Sequence, residues 1–173
     1  MAKRMYKIMA ENKISQCSNL MARQGLTIAF AESATAGWLC SEFALTEEPG
    51  KVLKGGLVCY DAGLKVQLLK VSQALIDEFT PESMEVTRGM AFGLRELIPS
   101  DIQVTVTGLT TPGGSETPEK PVGTMFVFAL IKNKEAGFRK LFTGSCEDII
   151  HQTVEATAEL LISELNKTQA DDR

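Results

Sequence analysis

The chain has 173 residues, 44% of them hydrophobic, and a formal net charge of −4, with a mean hydropathy of zero. That is enough apolar material for one buried core and too little chain for two ordinary domains, so residues 1–173 read as a single domain. The acidic balance, without a clustered basic face, argues against a nucleic-acid partner, although a small anionic ligand stays open.

Lys3, Arg4 and Lys7 lead into no signal-like apolar block and no stretch could span a bilayer, so a cytoplasmic protein without membrane contact is expected. Cys17, Cys40, Cys59 and Cys146 lack paired C-x-x-C spacing and read as reduced thiols. A single histidine leaves a zinc site almost without ligands, and neither metal nor cofactor is expected.

In chain order, Ile8, Met9, Ile14, Cys17, Leu20 and Met21 recur at near-helical spacing, predicting a helix over Tyr6–Arg23 that Gly25 stops. Thr27–Ala31 reads as a buried strand and Thr35–Leu45 as a helix ending before Pro49-Gly50. Gly55-Gly56 would introduce a second short strand, Leu57–Tyr60, with a brief helical turn at Lys65–Leu69. Thr80-Pro81-Glu82 reads as a helix start, with Thr80 as N-cap and Pro81 in the first turn, running to about Ile98. Ile102–Thr107 is β-branched and alternating, and residues 110–121 form an irregular loop. Val122–Ile131 and Gly137–Phe142 flank the polar turn 132–135 as an antiparallel hairpin, and a last helix spans about Glu147–Leu165 before a polar tail. This order predicts an α/β fold, a three-layer α/β/α sandwich with a mostly parallel, mixed sheet of five strands.

Candidate chemistry starts at Ser33, where the apolar run Leu26–Ala31 gives way to Glu32-Ser33-Ala34-Thr35-Ala36-Gly37. A small-residue turn from strand to helix exposes a hydroxyl beside backbone N–H groups that a helix start leaves free, a setting for a nucleophile with its oxyanion site. The alternative is that Ser33 or Thr35 caps the helix. Tyr60 and Lys65 follow the second strand, and a desolvated lysine or a cation-assisted tyrosinate could activate serine without histidine. Alternatively they are an aromatic strand end and a solvated lysine. Pro112-Gly113-Gly114 can bring backbone N–H groups to an anion or simply link strands. His151 would have to serve any Ser–His–acid triad. No dinucleotide fingerprint is present, and Gly50-Lys51 continues into Val52 rather than a P-loop Ser or Thr.

Taken together, Ala31–Gly37, Gly55–Tyr60 with Lys65, Val106-Thr107-Gly108 with Pro112-Gly113-Gly114, and Lys120–Thr124 resemble the CinA carboxy-terminal domain family, in the same order and over most of the chain. Members of that family include nicotinamide mononucleotide deamidases, which convert the ring carboxamide to the acid and release ammonia. The resemblance implies an amidohydrolase of pyridine nucleotide salvage, with Ser33 as nucleophile and Tyr60 and Lys65 as activating or substrate-contacting groups. Thr35, Gly37, Thr107, Gly108, Gly113 and Gly114 would line the pocket. It also implies a small nucleotide-like substrate, no metal, a homo-oligomer, and a standalone domain without the longer relatives' first half.

The sequence departs from the family pattern at Ala34 and Ala36, at Asp61-Ala62, and at Cys146 and Ile150, where the family commonly carries arginines. That departure implies an alternative: a paralogue that has lost deamidation and binds a nucleotide-like ligand or acts on another amide. Lys120 and His151 are the cations left to compensate.

Overall fold

The computed structural model describes residues 13–171. Helix α1 (Lys13–Gln24) buries Ile14, Cys17 and Met21 along one stripe. Gly25, at φ 65, ends it: Gly25 N–H donates to Ala22 O and Leu26 N–H to Met21 O, a closing motif that requires a left-handed residue. The part of the expected helix before Lys13, with Ile8 and Met9, lies outside the described residues.

The chain continues through β1 (Ile28–Glu32), α2 (Trp38–Ala44), α3 (Pro49–Val52), β2 (Leu53–Val58), α4 (Ala62–Leu69) and α5 (Gln73–Phe79). It then forms α6 (Met84–Leu97), β3 (Ile102–Gly108), β4 (Thr124–Ile131), β5 (Lys134–Leu141) and α7 (Cys146–Asp171). The sheet order is β2-β1-β3-β4-β5. Strand β1 is parallel to both β2 and β3, while β4 is antiparallel to β3 and β5. The expected mixed, five-stranded sheet is therefore present, with β4 alone reversed.

Every residue of β1 and β4 is buried, as in strands covered on both faces. On one face, Ile14, Met21, Leu39, Phe43, Val154 and Leu161 from α1, α2 and α7 pack against Phe30, Val104 and Val127. On the other, Leu69, Ile76, Val86, Met90 and Leu94 from α4, α5 and α6 cover Ala29 and Ala31, and Ala91 meets Phe128 and Leu130. The small side chains of β1 on that second face leave room for α6, which packs on β1 as well as on β3 and β4.

Several boundaries differ from expectation. Pro49, expected only to lie beyond the end of the preceding helix, opens α3, because proline suits a first helical turn. Strand β2 starts at Leu53, and Gly55-Gly56 lie inside it: a Cβ on Gly56 would meet Cys40 Sγ at 3.0 Å, so this glycine serves close packing of α2 on the sheet, not a turn. Helix α5 was not anticipated, since Ile76 is its single buried residue and Ser72 its cap. Helix α6 begins after Ser83, whose hydroxyl accepts from Val86 N–H; Thr80 is not the cap. The β4–β5 hairpin turns at Lys132-Asn133, with Lys132 at φ 54, so β5 starts three residues earlier than expected. Helix α7 continues past Leu165 to Asp171.

Candidate active site

The site forms at the carboxyl end of β1, where residues 32–40 turn from strand to helix. Ser33 N–H still donates to Val106 O at 3.0 Å, carrying the β1–β3 ladder one residue further. The chain then makes two consecutive turns, closed by Ala36 N–H to Ser33 O and Trp38 N–H to Thr35 O. Ala36 and Gly37 both take positive φ, 50 and 95.

Glu32, fully buried, organises this turn. Its Oε2 accepts from Thr35 Oγ1 at 2.6 Å, Gly37 N–H at 3.1 Å and Leu39 N–H at 3.1 Å, and its Oε1 accepts from Cys40 N–H at 2.8 Å. The carboxylate thus takes the helix-start donors that a sequence reading leaves open for an oxyanion, an arrangement favoured by the positive end of the helix. Thr35 is no cap either; it donates to Glu32. The N–H groups of this turn that have no protein acceptor among the described residues are those of Ala34 and Thr35, the central residues of the Ser33–Ala36 turn. Both follow Ser33 directly, and Ala34 lines the cleft described below.

Lys65 comes to Ser33 from α4. The Asp61 side chain accepts from Gly63 N–H at 2.7 Å and caps that helix, and Lys65 lies on its first turn with only 1% of its surface exposed. Its Nζ donates to Ser33 Oγ at 3.1 Å and to Cys59 O at 3.0 Å. Burial pushes the ammonium below the usual lysine range, against the opposing pull of Glu82, Cys59 and Asp61. A neutral amine satisfies the same geometry, giving a hydrogen to Cys59 O and turning its lone pair to the Ser33 hydroxyl.

In front of Ser33 lies a cleft of about 200 Å³ lined by Ser33, Ala34, Tyr60, Glu82 and the 108–114 segment. Tyr60 stands at its mouth, 64% exposed, and makes no hydrogen bond to Ser33 or Lys65. Gly108, Gly113 and Gly114 form part of the wall, although Gly113 N–H is already given to Glu116 Oε1 at 2.8 Å. The loop 109–121 is held at its far side by Lys120, whose Nζ donates to Thr80 Oγ1, Glu82 O and Ser115 Oγ at 2.6, 2.9 and 2.7 Å. Ser115 Oγ in turn donates to Glu82 Oε2 at 2.5 Å.

Ser33, Tyr60, Lys65, Gly108, Gly113 and Gly114 therefore come together. Thr107 does not reach the cleft: it is buried, and its hydroxyl bonds Thr87 Oγ1 at 2.7 Å, joining β3 to α6. Thr35 and Gly37 face Glu32. His151 sits edge-on against Trp38 and 3.8 Å from Glu147, so it makes no triad with Ser33. Glu32 and Glu82 are the residues a sequence reading misses. The signal for Glu32 is an acid five to eight residues before the N–H groups it binds; for Glu82 it is the Thr-Pro-Glu segment, read only as a helix start. Among the described residues no cluster of ligating side chains could hold a metal ion, and no helix is long and apolar enough to cross a membrane.

A three-layer α/β/α domain with a strand-end serine backed by a buried lysine defines the class. The chain belongs to the CinA family: the CinA C-terminal domain matches residues 10–165. It is 36% identical over 132 residues to a CinA-like protein of Petrotoga mobilis, covering 76% of this chain and 32% of that protein. It is 39% identical over 134 residues to a CinA-like protein of Geotalea uraniireducens, covering 76% and 31%. The match thus spans about a third of these curated relatives' length. Among solved structures, a competence-damaged protein (CinA) superfamily protein from Escherichia coli superposes with a TM-score of 0.83 at 29% identity, covering 88% of each chain. A superfamily protein from Klebsiella pneumoniae gives 0.85 at 22% identity, covering 90% of this chain and 96% of that one, a likeness of fold.

Proposed function

We propose that this chain is a serine amidohydrolase that cleaves the ring carboxamide of a nicotinamide nucleotide, releasing ammonia. The observation that carries this reading is the buried Lys65 Nζ 3.1 Å from Ser33 Oγ. A serine hydroxyl is a weak nucleophile until a base takes its proton, and a desolvated lysine is such a base. Neutral Lys65 accepts the hydroxyl proton as Oγ bonds to the carbonyl carbon. The Ala34 and Thr35 N–H groups are the donors we assign to the oxygen that gains charge. The resulting Lys65 ammonium gives its proton to the departing nitrogen as the C–N bond breaks. Water, deprotonated by the same amine, then hydrolyses the acyl ester and restores Ser33. Tyr60 at the mouth provides a surface for the ring. The site is proposed to work in the cytoplasm and in a homo-oligomer.

A second reading, a paralogue that binds a nucleotide-like ligand without deamidation, is favoured by the first turn of α7, where the charged residues are Glu147 and Asp148 and position 150 is Ile150. The test is ammonia release from nicotinamide mononucleotide by the parent chain, Ser33→Ala and Ile150→Arg. The amidase reading expects release that Ser33→Ala abolishes; an unchanged rate in Ser33→Ala refutes it. Release by Ile150→Arg alone supports the paralogue.

A further inference from the structure

Glu82 is the carboxylate on the wall of the Ser33 cleft, and no lysine, arginine or histidine lines that cleft among the described residues. Its Oε2 is clamped by Ser115 Oγ, which Lys120 Nζ holds from behind, while its Oε1 has no partner among the described residues. The backbone leading to it is strained. Thr80 adopts φ 69, ψ 157, a region reserved almost wholly for glycine and costly for a β-branched residue. That conformation presents Thr80 Oγ1 and Glu82 O to the Lys120 ammonium. The fold thus holds one carboxylate oxygen at the cleft in a fixed, unpartnered state.

The nearby cations are engaged elsewhere. Lys120 distributes its three hydrogens among Thr80, Glu82 O and Ser115. Lys65 lies behind Ser33, its Nζ bonded to Ser33 Oγ and Cys59 O. Arg139 donates to Glu119 O and lies over the Phe126 ring. Among the residues that line the cleft, the charge that an incoming group meets is that of Glu82. At about 200 Å³, the space is below the roughly 300–1,000 Å³ of sites that enclose drug-sized ligands. It takes one ring with its amide and leaves larger substituents outside.

We propose that Glu82 selects the ligand by charge: the cleft takes the cationic ring of an N-alkylated pyridine carboxamide and turns away neutral and anionic rings of the same shape. The choice of a ring carboxamide rests on the amidase reading; the charge selection rests on Glu82. A carboxylate close to a ring cation lowers the energy of the bound cation and does nothing for its neutral isostere.

The experiment uses the full chain carrying Ser33→Ala, so that binding is read without turnover. It is titrated calorimetrically with 1-methylnicotinamide (cationic), nicotinamide (neutral) and nicotinate (anionic). The cation is expected to bind at least roughly tenfold more tightly than nicotinamide, with nicotinate weakest. Adding Glu82→Gln is expected to bring the first two within about twofold, and Glu82→Asp to retain the preference. Equal affinities, no heat from 1-methylnicotinamide at millimolar concentration, or a preference that survives Glu82→Gln would each overturn the proposal. Ammonia release by the parent chain is measured in parallel. Charge-selective binding without ammonia release defeats the amidase reading alone, and ammonia release without charge selection defeats the role of Glu82 alone.

Discussion

Replacing Glu32 by glutamine tests the account of the Ser33 turn. The shape is kept, but an amide has one acceptor oxygen where the carboxylate has two. In the better orientation that oxygen keeps Thr35 Oγ1 and the N–H groups of Gly37 and Leu39, and the new NH2 then faces Cys40 N–H, formerly bonded at 2.8 Å. One buried donor left unsatisfied costs about 1–3 kcal/mol. Loss of the negative charge at the positive end of α2 adds up to about 2 kcal/mol. The expected destabilisation is therefore about 3 kcal/mol, or a fall in Tm of roughly 6–12 °C for a domain of this size. Urea and thermal unfolding of the two proteins measure it. A Glu32→Gln protein within about 1 kcal/mol of the parent would refute the claim that the carboxylate organises this turn.

Lys65 makes a prediction about pH. Its folded-state pKa lies below the ordinary lysine value, so between the two the unfolded chain binds more protons and stability rises with pH. Amidase activity is expected to rise over the acid limb as the amine loses its proton; Lys65→Met should abolish both the activity and this stability slope, as pH–rate profiles and melts at several pH values would show. Ala36→Gly is expected to stabilise the fold by roughly 1 kcal/mol, because the left-handed conformation at φ 50 costs an L-residue about that much; a lower unfolding midpoint would contradict the turn geometry. Gly93→Ala would set a Cβ 1.8 Å from Leu69 O and force α4 away from α6, with a loss of about 3 kcal/mol or more by denaturation; a neutral effect would mean that the two backbones do not meet as described.

Periodicity made the sheet legible. The alternation of the β3 segment and the polar turn read at 132–135 between the two following apolar segments were enough to anticipate an antiparallel hairpin in a mostly parallel sheet. The glycine pair at 55–56 misled, because adjacent glycines usually mark turns, whereas the approach of Cys40 to Gly56 is visible only once α2 is docked on the sheet. Ser33 stood out by the change from apolar to small residues. Its link to Lys65 spans 32 positions of sequence, so no local pattern could give it; strand ends converging on one rim suggested it, and the family resemblance singled out the residues. Glu32 went unread because cap rules look for Ser, Thr, Asp or Asn directly before a helix, and this acid acts from the strand behind the turn. Thr80 looked like a cap because its sequence neighbours are right for one, yet its hydroxyl is used by Lys120, forty residues away.

The reversal of β4 has a consequence for how such a cleft can diversify. Because β4 lies beside β3 and runs back from the same rim, the loop 109–121 leaves and rejoins the sheet between hydrogen-bonded neighbours, with Leu109 N–H on Thr124 O and Gly123 N–H on Leu109 O. Doubling the length of a loop pinned this way costs only about 0.6 kcal/mol in closure entropy. The wall facing Ser33 is thus a replaceable cassette. Its length and composition can drift under selection for new ligands while the strand pairing that holds the serine and lysine stays intact.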